Sequence, residues 1–139
     1  MRAKSYGCRF AFLSLRCSLL FWLTLGLSAS PKVTLVEVWC VGDDGLTTKL
    51  RNRLENGFKS SSDFQLSVGK KPGTLIVTIP TNVGWKVVDG RTQVLFTVEF
   101  ATVDNQHLGT REGSCWEDAL SECTNEIVKT AKTAAHKIH

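Results

Sequence analysis

The chain has 139 residues, with 17 Lys+Arg, 13 Asp+Glu, five Cys, four Trp and three Pro. That length suits one compact domain, and 42% hydrophobic with 22% charged residues excludes collagen-like and disordered classes. The formal charge of +4 suggests a nucleic-acid or membrane-surface partner, but Arg2, Lys4, Arg9 and Arg16 all precede residue 29, where no acid occurs. The remaining 13 basic residues match the 13 acidic ones. No nucleic-acid partner is therefore expected, because phosphate affinity depends on an excess of Lys and Arg.

Residues 17–27 form an uncharged apolar run behind those four cations, and the small residues Gly26, Ser28, Ala29 and Ser30 follow. This three-part pattern predicts a secretory signal over residues 1–29, cleaved, with a single domain over 30–139. A membrane span needs about 20 apolar residues, and Arg16 blocks extension backwards. The alternative is an uncleaved anchor; once processed, the chain is expected to hold no integral membrane span. The expected location is periplasmic or secreted. Cys8 and Cys17 leave with the signal, while Cys40, Cys115 and Cys123 remain where a structural disulfide is the default.

Residues 33–41 are β-branched or apolar on both alternating faces except at Glu37, which suits a strand covered on both sides or placed centrally. Asp43-Asp44-Gly45 breaks it, with Asp44 a plausible N-cap. Leu46, Leu50, Leu54 and Phe58 then recur every four residues, one face of a helix over 46–59. Phe64, Leu66 and Val68 alternate with polar residues, and the stretch 69–73 reads as a hairpin turn into a strand over 74–79. A short strand over 85–88 meets Asp89-Gly90, a strong hairpin signal. Val94, Phe96, Val98 and Phe100 form the inward row of the longest strand, and Asp104-Asn105 turns it into 107–112.

Ser114 and Glu117 have capping-box spacing, and Leu120, Cys123, Ile127, Ala131, Ala134 and Ile138 recur at helical steps, predicting a helix over 115–137. The order β-α-β-β-β-β-β-α predicts an α+β fold, one mixed sheet of about five strands with two helices on one face.

Within one helix, Cys115 and Cys123 would stand ~12 Å apart along the axis, too far to pair unless the first turn is absent. Any bridge must then include Cys40, and Cys115 at the helix start is the expected partner. No Cys-x-x-Cys, His-x-x-x-His or Gly-x-Gly-x-x-Gly pattern occurs, so no catalytic residue, metal ligand or cofactor site is assigned. Asp43-Asp44 and Glu117-Asp118 lie at helix starts, where acids are expected for structural reasons. Trp39 should lie on the sheet face away from the helices, with part of the hairpin carrying Trp85, Lys86 and Arg91. Those four residues are the candidate partner-binding set. Trp116 is expected in the core.

The helix over 46–58, the strand over 74–79 and the helix over 115–135, behind a signal, resemble in element order the N-terminal domain of the translocation protein TolB. They are similar in the same way to the LpoB-type activators of peptidoglycan synthases. That resemblance implies a small envelope domain acting by binding proteins, without catalytic residues. The chain departs from both in lacking a lipidated Cys and a propeller. Cystatin-like inhibitors share a helix on a curled sheet, but their Gln-x-Val-x-Gly loop is absent, since Gln93 begins Gln-Val-Leu-Phe-Thr. The reading favoured is an exported, non-enzymatic binding module for a protein or envelope component. A small secreted enzyme with an unseen active site is the alternative.

Overall fold

The computed structural model describes residues 32–138. The predicted signal and its cleavage site lie outside the described residues. The element order is β1 (Thr34–Cys40), α1 (Gly45–Ser60), β2 (Phe64–Leu66), β3 (Leu75–Ile79), β4 (Gly84–Val88), β5 (Arg91–Thr102), β6 (His107–Trp116) and α2 (Leu120–Ala135). A 3-10 turn, Glu117–Ala119, joins β6 to α2. The result is a mixed six-stranded sheet with two helices, the α+β class expected.

β1 sits between β2 and β3 and runs parallel to both. Its apolar alternation on both faces suits that central place. The residues between β2 and β3 therefore form no hairpin, contrary to the local signal. Gly69 and Gly73 do take left-handed backbone (φ 87° and 77°), but the chain passes across β1 instead of doubling back.

β3 and β4 lie end to end along one side of β5: Leu75 faces Thr102 and Thr78 faces Glu99, then Gly84 faces Leu95 and Val88 faces Arg91. β6 covers the other side of β5 from Gln93↔Trp116 to Ala101↔His107. Asp89 (φ 49°) and Gly90 (φ 76°) supply the two left-handed positions that a tight hairpin needs.

The row Val94, Phe96, Val98 and Phe100 points inward as expected. Val36 and Val38, Leu75, Val77 and Ile79, and Val94, Phe96, Val98 and Phe100 pack in one cluster with Leu50, Leu54 and Phe58 of α1 and Ile127 and Ala131 of α2. Each fully buried side chain of this size contributes about 1.5–3 kcal/mol. Where the helices cross, a Cβ at Gly57 would lie 2.6 Å from Thr124 Cγ2, so only glycine permits the approach.

The start of α2 departs from its prediction. Ser114 and Cys115 belong to β6, where Ser114 faces Leu95 and accepts a hydrogen bond from Gln93 Nε2 (3.2 Å). Glu117 turns to Lys49 of α1 (3.1 Å), and no side chain caps Ala119. The ladder with β5 satisfies the backbone groups that a capping box would have served, and it seats Cys115 opposite Val94 in the core.

Candidate functional site

The disulfide corrects an expectation and defines the end of the molecule that carries the site. Cys115 is bonded to Cys123, with Cα atoms 5.7 Å apart, and Cys40 is free. Cys40 does not pair with Cys115. Both end parallel strands at the same end of the sheet, but β3 and β5 lie between them. Three strand spacings amount to about 14 Å, twice the reach of a disulfide. The helical-rise objection lapses because Cys115 is extended and the 3-10 turn folds α2 back over it. The Cys40 thiol instead donates to the Gly42 carbonyl at 3.1 Å.

The nine-residue disulfide loop carries a clasp. Arg91 makes two hydrogen bonds to Asp118, at 2.9 and 3.0 Å, and its guanidinium lies 4.3 Å from the centre of the Trp116 ring. Trp116 is half-buried rather than part of the apolar cluster. Glu117 reaches Lys49, so this short turn ties the tip of the β4–β5 hairpin to the start of α1.

β4 is an edge: β5 pairs with one side of it, and no described strand covers the other. It exposes Trp85 (65%) and Val87 (64%). Trp85 faces Val94 across the ladder, and Val94 points into the core, so Trp85 stands on the face that bears the helices. Trp39 faces Thr78 and is on the opposite face. The four candidate residues are therefore not one surface. Lys86, opposite Gln93, and Arg91, opposite Val88, share Trp39's face at the far end of the hairpin.

That opposite face is largely wet. Around Trp39 it presents Glu37, Thr78, Thr97, Glu99, Thr110 and Glu112. Trp39 (38% exposed) is partly covered by Lys70, whose Nζ lies 5.0 Å from the ring centre while its backbone N–H donates to Glu37 (3.2 Å). Leu35, Ile76 and Leu95 share that face, but the polar side chains among them break up the expected apolar platform. The helix-side cleft beside β4 is different. Leu46, Val83 and Trp85 give it apolar walls, and Asp44, Asn82, Thr92 and Glu117 its polar rim.

Sequence reasoning missed the residue that builds this cleft. Thr47, fully buried in the first turn of α1, donates its hydroxyl to Asp44 and accepts the Val83 N–H at 2.9 Å. It ties the helix to the bend between β3 and β4. The Thr47 hydroxyl, with the Thr47 and Leu46 N–H groups, holds the Asp44 carboxyl below its ordinary value. A Thr three residues after an Asp at a helix start was the available signal, but its long-range partner was not visible locally.

Among the described residues, no group of three or more His, Cys, Asp or Glu is placed to hold a metal ion. No helix there is long and apolar enough to cross a membrane. No family model and no curated protein matches the sequence.

The structure is similar to several solved ones. XCC0632 from Xanthomonas campestris, of the DUF330 family, superposes with a TM-score of 0.54 at 11% identity, over 79% of this chain and 91% of that one. A minor lipoprotein from Acinetobacter baumannii aligns over 73% of this chain and 94% of its own, with a TM-score of 0.48 at 11% identity. PelC from Paraburkholderia phytofirmans, solved as a dodecamer, aligns over 76% and 88%, with a TM-score of 0.43 at 16% identity. At such identities the likeness to XCC0632 shows a shared fold.

Proposed function

We propose that this chain is an exported, non-enzymatic module that binds a protein or another component of the cell envelope or extracellular space. The observation that carries the reading is the open β4 edge, with Trp85 and Val87 exposed beside an apolar cleft. An uncovered strand edge has unpaired N–H and C=O groups, and exposed aromatic side chains are enriched where partners dock. The basic-then-apolar leader and the disulfide support export. The likeness of element order to the TolB N-terminal domain and LpoB-type activators supports the same reading, as does the neutral charge after residue 29 against nucleic acid.

Site-specific photo-crosslinking tests it in exporting cells. A crosslinker at Val87 is expected to trap a discrete adduct, and one at Lys129, on the exposed side of α2, is not. Equal adduct patterns at both positions would remove the assignment of this edge.

A further inference from the structure

We propose that the occupant of the β4 edge is an extended peptide segment whose Lys or Arg side chain enters the cleft beside Trp85. This rests on the binding-module reading and names its partner chemistry. Three observations on the same few residues carry it.

The first is the edge itself. Gly84–Val88 has its outer side uncovered, and an added strand is the structure that satisfies a whole row of such backbone groups at once. The second is direction. Side chains of an added strand that neighbour Trp85 and Val87 point to the helix-bearing face, where the cleft opens. The third is charge. Leu46, Val83 and Trp85 offer apolar surface to an aliphatic stem and an aromatic face to a cation, while the charged groups of the rim, Asp44 and Glu117, are both acidic. Asp44 is occupied by the first turn of α1 and Glu117 by the exposed Lys49, so an incoming cation would take over Glu117 from Lys49, whereas an acidic side chain would meet like charge. Lys86 stands mid-strand on the other face, the residue type that edges carry against self-pairing, so a second copy fits less well.

The test uses the purified exported protein and a fluorescein-labelled nonapeptide of alternating Thr and Val with Lys at its centre. Polarisation is expected to show binding about fivefold tighter than for the peptide with central Leu, with central Glu weaker still. N-methylation of the alternate amides on one peptide edge is expected to abolish binding, because it removes the strand ladder. Glu117→Gln should weaken the Lys peptide about fivefold, while Lys49→Met, which frees the Glu117 charge, should tighten it. Those opposite signs distinguish charge recognition from a general loosening of the fold, since both variants break the same ion pair. Equal affinity for Lys and Glu peptides, indifference to N-methylation, or a homodimer lost on Trp85→Ala would overturn the inference. A partner trapped at Val87 beside charge-blind peptide binding would overturn this inference and leave the binding-module reading standing. Absence of both would overturn the two together.

Discussion

The Thr47 hydroxyl accepts the Val83 backbone N–H at 2.9 Å, joining the first turn of α1 to the bend between β3 and β4, 36 residues away. Both residues are buried, so the N–H has no recourse to water. Because β4 continues beyond Val83 as an open edge, this one bond sets where the cleft wall stands relative to Trp85.

Thr47→Val keeps the shape and removes the acceptor. It is expected to destabilise the protein by about 1–3 kcal/mol, the cost of a buried unsatisfied donor. Thr47→Ser should recover most of that loss. Urea denaturation of the three proteins provides the comparison, and a Val variant as stable as wild type would show that the bond is not needed.

Non-reducing peptide mapping should find Cys115 joined to Cys123, and among residues 32–138 alkylation should label Cys40 alone after unfolding. A loop this short stabilises by about 2.5 kcal/mol on the chain-entropy model. Reduction should therefore lower the denaturation midpoint, while Cys40→Ser leaves the bridge intact. Hydrogen exchange should rise most in the β4–β5 hairpin, which Arg91 fastens to the disulfide loop through Asp118. A uniform rise over the sheet would refute the clasp.

Gly57→Ala improves intrinsic helix propensity yet should destabilise, because the new methyl would meet Thr124 at 2.6 Å. Overpacking of this kind costs about 1–3 kcal/mol. A rise in Tm would mean that α1 and α2 can part at no cost.

Acid should weaken the fold through two lowered carboxyls. The Thr47 hydroxyl lowers Asp44, and hydrogen bonding to Lys132 lowers Asp63, each from 3.8. A group with a depressed folded pKa contributes stability above its unfolded value and loses it as pH falls through the folded one. The contribution of both should be level from neutral pH down to about 4 and decline below that. Lys132→Met should reduce the decline by removing the Asp63 share, as midpoints measured across that range would show.

Mass spectrometry of the exported protein should give an N-terminus between Ala29 and Pro31. Intact Met1 recovered from membranes would favour the anchor instead.

Much of this molecule was already present in local pattern. The Leu46, Leu50, Leu54, Phe58 stripe, the alternation from Val94 to Phe100 and the Asp89-Gly90 turn each depend on residues near one another in the chain. Their periods of 3.6 and 2 report burial without reference to topology. Three matters depended on neighbours distant in sequence. The 69–73 turn is no hairpin because β1 takes the place between β2 and β3. Ser114 caps no helix because pairing with β5 extends the strand to Trp116. Cys40 remains free because two strands separate it from Cys115, and that extension lets Cys115 reach Cys123. The site divides in the same way. The sequence singled out Trp85, but its face follows from the register opposite Val94, and only Thr47 bonded to Val83 turns an exposed aromatic into the wall of a cleft. Strand order and long-range hydrogen bonds arise from the competition of all segments for one core, and no window of the chain contains that competition.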